Sequence, residues 1–327
     1  MELLWIATGR VERRELAELA ALLAQPEGFV WLDVPAWDAE VERLLAETFR
    51  FHPLALRDCR ERSHIPKLHA YPDHLFLILH APEPGPTGQI HLLELDYFVA
   101  QRFLVTVHGP LNPEVPLENA LRETRAVARR LLDGRFAPAS AAELSHAIVS
   151  AIAAHMETFV ADLTRKVATL ERQVLELASG DFQEALEEMF RVRHELLTLR
   201  TMASACREMY ARMAALSRFL PAESQPFIDD LVDNFERVRS VCDSEREFLQ
   251  GVVDFYQSRT HVKMNIAMER LALMSAVILP LTLLAGIYGM NIIVNQETKT
   301  FELGLVLVSM GFVAALMLAW ARRQGWW

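Results

Sequence analysis

The sequence predicts an α+β chain: an N-terminal α/β domain, then long stalk helices, then a two-helix transmembrane hairpin at the C-terminus. Three observations predict it. Short apolar runs alternate with amphipathic stretches up to about residue 138. Beyond that point apolar residues recur only at helical spacing. Two late runs, Leu271–Gln296 and Leu303–Trp320, contain no charged side chain. The expected divisions are therefore 1–138, 139–264 and 265–327, with spans near 271–290 and 303–321 and a loop at 291–302 between them.

In the first domain, Leu3–Thr8, Phe29–Val34, Leu75–His80, Leu92–Val99 and Phe103–Val107 read as strands, being short, apolar and rich in β-branched or aromatic residues. Glu12–Gln25, Asp38–Phe49 and Leu117–Leu132 carry apolar residues on one helical face and read as helices. Ala100-Gln101-Arg102 reads as a hairpin turn, and Ala81–Gly88 as a loop because of its Pro and Gly content.

From Leu144 to Leu177 apolar residues step by three or four over about nine turns, enough for a stalk helix. Gly180-Asp181 breaks it, and a second helix runs from Phe182 to about Leu216. A third begins near Phe227 and meets no Pro before Pro280, so it continues for about 60 residues, on the order of 90 Å, into the first apolar run. That run is long enough to cross about 30 Å of hydrocarbon. Lys263 and Arg270 flank the first span and Arg322 and Arg323 the second, while the loop holds Lys299 with Glu297 and Glu302. The excess of basic residues at the outer ends of the hairpin predicts both termini in the cytoplasm, with Trp320, Trp326 and Trp327 at that interface.

Composition narrows the function. Against 33 Lys+Arg stand 43 Asp+Glu, a net charge of −10, which argues against nucleic acid as a partner and suits the handling of cations. Cys59, Cys206 and Cys242 make no CxxC pair and predict packed, reduced thiols. The start of the chain has no basic segment before an apolar core, as a secretory signal requires, so the N-terminal bulk is expected to stay inside. No GxxxxGK[ST] loop, GxGxxG turn or GxSxG elbow occurs, which leaves neither ATP-driven pumping nor enzymatic catalysis a motif to rest on. His64, His69, His74 and His80 are spaced unlike a metal-ligating set.

The informative pattern lies in the first span. Asn265, Met268, Leu271, Ser275, Leu279, Thr282, Gly286 and Gly289 follow one another at intervals of three or four and share one face. A face of small and polar residues either packs on a neighbouring helix or lines water. If several copies surround an axis, Asn265 makes a polar ring and Met268 and Leu271 two apolar ones. At the other end, Gly289-Met290-Asn291 offers unpaired carbonyls and an amide to an incoming cation.

These residues resemble a known family. Ile287-Tyr288-Gly289-Met290-Asn291 after Leu279-Pro280-Leu281-Thr282 is similar to the signature of the CorA magnesium channels and transporters. Trp31-Leu32-Asp33, His52–Asp58 and Pro66-Lys67 resemble that family's N-terminal blocks in the same order. The resemblance implies a funnel-shaped homopentamer in the lipid bilayer of the cell (inner) membrane, its pore lined by each chain's first span. It implies Mg2+, with Co2+ or Ni2+ accompanying it, entering the cytoplasm down its electrochemical gradient. It also implies feedback by cytoplasmic Mg2+, with Asp230 matching a regulatory stalk aspartate; an acidic first turn that favours the helix dipole is the simpler account of that residue. The outer loop departs from the family's aromatic and Met-Pro-Glu-Leu pattern but keeps an acidic residue in Glu297, and Arg57 stands where an acidic residue is common. Two other functions remain open from sequence: proton-coupled Zn2+ transport of the ZntB kind, and a coiled-coil sensor or scaffold anchored by the hairpin.

Overall fold

A computed structural model of the chain describes residues 1–7, 9–85, 89–176, 182–214, 222–292 and 300–323. It divides into two compact units, Met1–Gln250 and Gly251–Trp327.

The first unit is built on a seven-stranded sheet of β1 (Glu2–Ala7), β2 (Arg10–Arg14), β3 (Phe29–Val34), β4 (Lys67–Ala70), β5 (Leu75–Pro84), β6 (Ile90–Val99) and β7 (Phe103–His108), in the order β2-β1-β3-β7-β6-β5-β4. Only β3 and β7 pair in parallel. Alternation along the strands sends one set of side chains to each face. Val30, Leu32, Phe76, Ile78, Phe98, Val105 and Val107 form one core with the short helices α1 (Leu19–Leu23), α2 (Ala39–Glu47) and α3 (Pro53–Arg60).

The opposite face carries Trp31, Tyr97, Thr106 and His108. It is covered by α5 (Arg122–Leu132), which follows the single turn α4 (Leu117–Ala120), and by the long helices α6 (Ala141–Glu176) and α7 (Phe182–Ala214). Several polar groups on this face are paired, as burial favours. Trp31 donates to Thr106 Oγ1 at 3.0 Å, and the Tyr97 and Tyr210 hydroxyls hydrogen-bond to each other across β6 and α7.

Several elements differ from the sequence expectation, each for a local reason. Glu12–Arg14 is not the start of a helix but part of β2, since β1 needs an antiparallel partner and the turn at Gly9 (φ +75°) supplies one; helix begins only after Glu15. Ala81–Pro84 is not a loop but extends β5. The N–H of Gly85 points to Gln89 near the start of β6, so Pro82 and Pro84 face the other side, where β4 has already ended and no ladder bond is lost. The helix at Leu117–Leu132 is interrupted at Leu121. Strand β4 and helix α3 were not expected. In α3, His52 caps the helix by accepting from Leu54 N at 3.1 Å, and Pro53 occupies its first turn.

The helix α8 (Gln225–Ile292) is unbroken over 68 residues and α9 (Thr300–Arg323) follows. Among the described residues three helices are apolar and long enough to cross a membrane, and burial separates them. In Ala141–Val174 the apolar window is 44% buried against the rest of the chain, whereas in Gln225–Ile287 it is 0% and in Leu303–Arg323 6% buried. The first is thus a core helix of the sheet domain. The other two leave their apolar surface for lipid or for other chains.

Candidate functional site

The stripe predicted on the first span lies on one face of α8. Asn265, Met268, Leu271, Ser275, Leu279, Thr282 and Gly286 are all exposed, with Met268 at 58%, Leu271 at 64% and Leu279 at 68%. The half-buried residues of the same stretch are Leu273, Ala276, Val277, Pro280, Leu281 and Leu284. At about 100° per residue the two sets are centred roughly 150° apart. On α9 the shielded residues Val306, Met310, Val313, Ala314, Met317 and Ala321 again recur at helical spacing. Each helix therefore has one less exposed face, and on α8 it is not the face with the polar stripe.

Two details sharpen this. A Cβ added at Gly286 would meet nothing within 4 Å, so close packing inside this chain does not require glycine there. Pro280 removes one backbone donor from the helix interior, and two residues on the Thr282 hydroxyl donates to the Ile278 carbonyl at 2.9 Å. That bond uses the hydroxyl's proton and leaves its lone pairs on the exposed face.

The tripeptide Gly289-Met290-Asn291 forms the last turn of α8, which continues through Ile292 rather than stopping within it. The final carbonyls of a helix have no intrahelical partner. Glu297, Trp326 and Trp327 lie outside the described residues.

Asp230 does not join the stripe; it sits near the start of α8, in the other unit. Its Oδ2 accepts from Asn234 Nδ2 at 3.0 Å and lies 2.8 Å from Nε2 of His146 on α6, which is also 3.3 Å from Ser150 Oγ. Sequence reasoning missed His146: it is a single imidazole inside an apolar helical repeat, and only the packing of α6 on α8 reveals its partner. Among the described residues no group of three or more His, Cys, Asp and Glu side chains is arranged to hold a metal ion. Asp230 is therefore not part of such a group within one chain. The four histidines at 64–80 do not converge either: His80 bonds the Ser63 carbonyl at 2.8 Å and His74 bonds Asp73 at 2.7 Å.

Residues 26–323 match the family described as CorA-like Mg2+ transporter protein. The chain belongs to that family. Among its relatives, the Bacillus subtilis protein YfjQ is 26% identical over 311 residues, covering 92% of this chain and 91% of that one. The cobalt/magnesium transport protein CorA of Thermotoga maritima is 23% identical over 296 residues, covering 88% and 80%. The fold is similar to that of the complete CorA magnesium transporter of Methanocaldococcus jannaschii, with a TM-score of 0.80 at 18% identity over 100% of this chain and 99% of that one. CorA-family proteins are membrane transporters of divalent metal ions, not enzymes. The long helices and the apolar C-terminal pair are thus parts of a transporter.

Proposed function

We propose that the chain assembles as a homopentameric channel in the inner membrane that carries Mg2+, and with it Co2+ and Ni2+, into the cytoplasm, and that cytoplasmic Mg2+ closes it. The observation that carries this reading is the exposed stripe of α8. Its polar and small residues lie opposite the less exposed face, and a two-helix hairpin cannot enclose a path by itself. Copies arranged around an axis turn the stripe into a wall. Asn265 then gives a polar ring, Met268 and Leu271 give apolar rings that dewet and close, and Ser275, Leu279, Thr282 and Gly286 continue the path outward. Asn291 amides and Gly289 carbonyls receive the ion still hydrated, because Mg2+ sheds its waters reluctantly. Glu297 adds negative charge at the entrance.

Self-association has independent support on α8. Val241, Phe248, Phe255 and Val262 are 40%, 46%, 51% and 54% exposed, and they recur every seven residues. A seven-residue apolar row is the seam of a left-handed helix pack, and these four have little cover from their own chain. Basic residues at the ends of the hairpin support cytoplasmic termini. Inward flux then needs no ATP, since a divalent ion gains roughly 4.6 kcal/mol per 100 mV of inside-negative potential. Asp230 is the proposed regulatory ligand, in a site finished by a second copy.

The test is flux. Protein reconstituted in liposomes with an internal Mg2+ dye should give a dye response under an inside-negative potential, and the response should fall as internal Mg2+ rises. No response from correctly inserted protein would contradict the channel. A zinc-dye response that needs a pH gradient, without Mg2+ entry, would replace it with proton-coupled Zn2+ transport.

A further inference from the structure

On the face of the sheet beneath α3, Glu94 and Asp96 stand among mostly apolar side chains, with His80 and Lys67 as polar neighbours. Glu94 and Asp96 lie two residues apart on β6 and so point the same way as Phe98. In the ladder Asp96 stands between Ile78 of β5 and Val107 of β7, and Glu94 stands opposite His80. Asp96 is 0% exposed and Glu94 7%. The polar neighbours of Asp96 are the Glu94 carboxyl and the Cys59 thiol, and no cation bonds either of its oxygens, while Oε2 of Glu94 accepts from Ser63 N at 2.6 Å.

The surroundings offer little to balance two negative charges. Cys59 and Asp58 face the pair from α3, Arg62 and His64 from the segment after it, Lys67 from β4 and His80 from β5. From β7 the side chain beside Asp96 is the apolar Val107. Lys67 is bonded to Asp58 at 3.3 Å and Arg62 to the Pro110 carbonyl at 3.2 Å. His80 Nε2 donates to the Ser63 carbonyl, and burial lowers its pKa, so it is neutral and supplies no cation. An unpaired carboxylate in such a place costs several kcal/mol, and two cost more through mutual repulsion.

We propose that Glu94 and Asp96 form one buried proton-binding site, which holds a proton at neutral pH and makes the packing of α3 on the sheet sensitive to its loss. Burial is the largest cause pushing Glu94 up to about 7, and burial followed by the charge of Glu94 holds Asp96 well above the usual carboxylate range. Because both are raised in the folded state, the fold binds more protons than the unfolded chain above the ordinary carboxylate pKa. The pair's contribution to stability is therefore fully present at acid pH and is lost as pH rises through neutrality. A carboxyl that is protonated in the fold and ionised in the unfolded chain lowers the folding constant by up to about tenfold per pH unit.

The full-length chain in detergent tests this by two readings. Infrared spectra at pH 6 should contain the carbonyl stretch of a protonated, buried carboxyl, weakened in Asp96→Asn, absent when Glu94→Gln is added to it, and fading as pH is raised. Unfolding followed by tryptophan fluorescence should show the wild type losing up to about tenfold more in its folding constant per pH unit than Asp96→Asn does. Should Asp96→Asn fail to fold, Glu94→Gln takes its place, and the wild-type band decides alone. No protonated carboxyl at pH 6, or equal pH slopes in wild type and variant, would overturn the proposal.

Discussion

Met268 and Leu271 are long apolar side chains, more than half exposed, on a helix face that otherwise favours small and polar groups. In the proposed pore they close the path by excluding water rather than by filling it. Leu271→Asp keeps the helix and hydrates the ring. It should raise Mg2+ leak under closing conditions by about tenfold or more, a barrier change of ~1.4 kcal/mol. Unchanged flux would place the constriction elsewhere. Asp230→Ala removes a carboxylate from a site that two chains would complete. The internal Mg2+ concentration needed for half-inhibition should rise by about tenfold, the equivalent of one lost charge-assisted contact. If it does not move in a variant that folds and conducts, Asp230 serves only its contacts with His146 and Asn234, since the first turn of α8 holds no acidic residue. The stripe was legible in the sequence because helical spacing alone places its members together. His146 beside Asp230 was not, nor was the Glu94–Asp96 pair, since one depends on packing between helices and the other on cross-strand register and burial.

At the scale of elements, the long helices were read closely because apolar spacing repeated over many turns leaves little freedom in their assignment. The short edge strands were not. Arg10–Arg14 is nearly all charged and becomes a strand only through its pairing with β1, while Lys67–Ala70 owes its conformation to β5. Such edges are stabilised by the neighbour rather than by their own side chains, which also keeps them unattractive to other chains. The apolar row on α8 lies between what the sequence states and what the structure adds. Its spacing is visible in the sequence, but that α8 buries a different face in its own chain is known only from the fold. Phe248→Glu should therefore dissociate the assembly in detergent, with the protomer's own stability changed by only about 0.5 kcal/mol, as is usual for an exposed site. Light scattering and thermal unfolding on the same sample separate the two, and an assembly indifferent to the charge would remove this row from the interface.

For the molecule as a whole, an acidic sheet domain is followed by two long apolar helices, and belonging to the CorA family makes that combination a membrane transporter. The central claim is that the stripe of α8 faces a water-filled path and the opposite face does not. Single cysteines at Ser275, Leu279 and Thr282 on the stripe, and at Ala276, Val277 and Leu284 opposite, test it in reconstituted protein with a charged, membrane-impermeant thiol reagent. The native Cys59, Cys206 and Cys242 are buried and give a low background. The three stripe positions should label and lose Mg2+ flux on labelling, and the three opposite positions should do neither. Equal labelling of both faces, or labelling of the opposite face alone, would contradict the account.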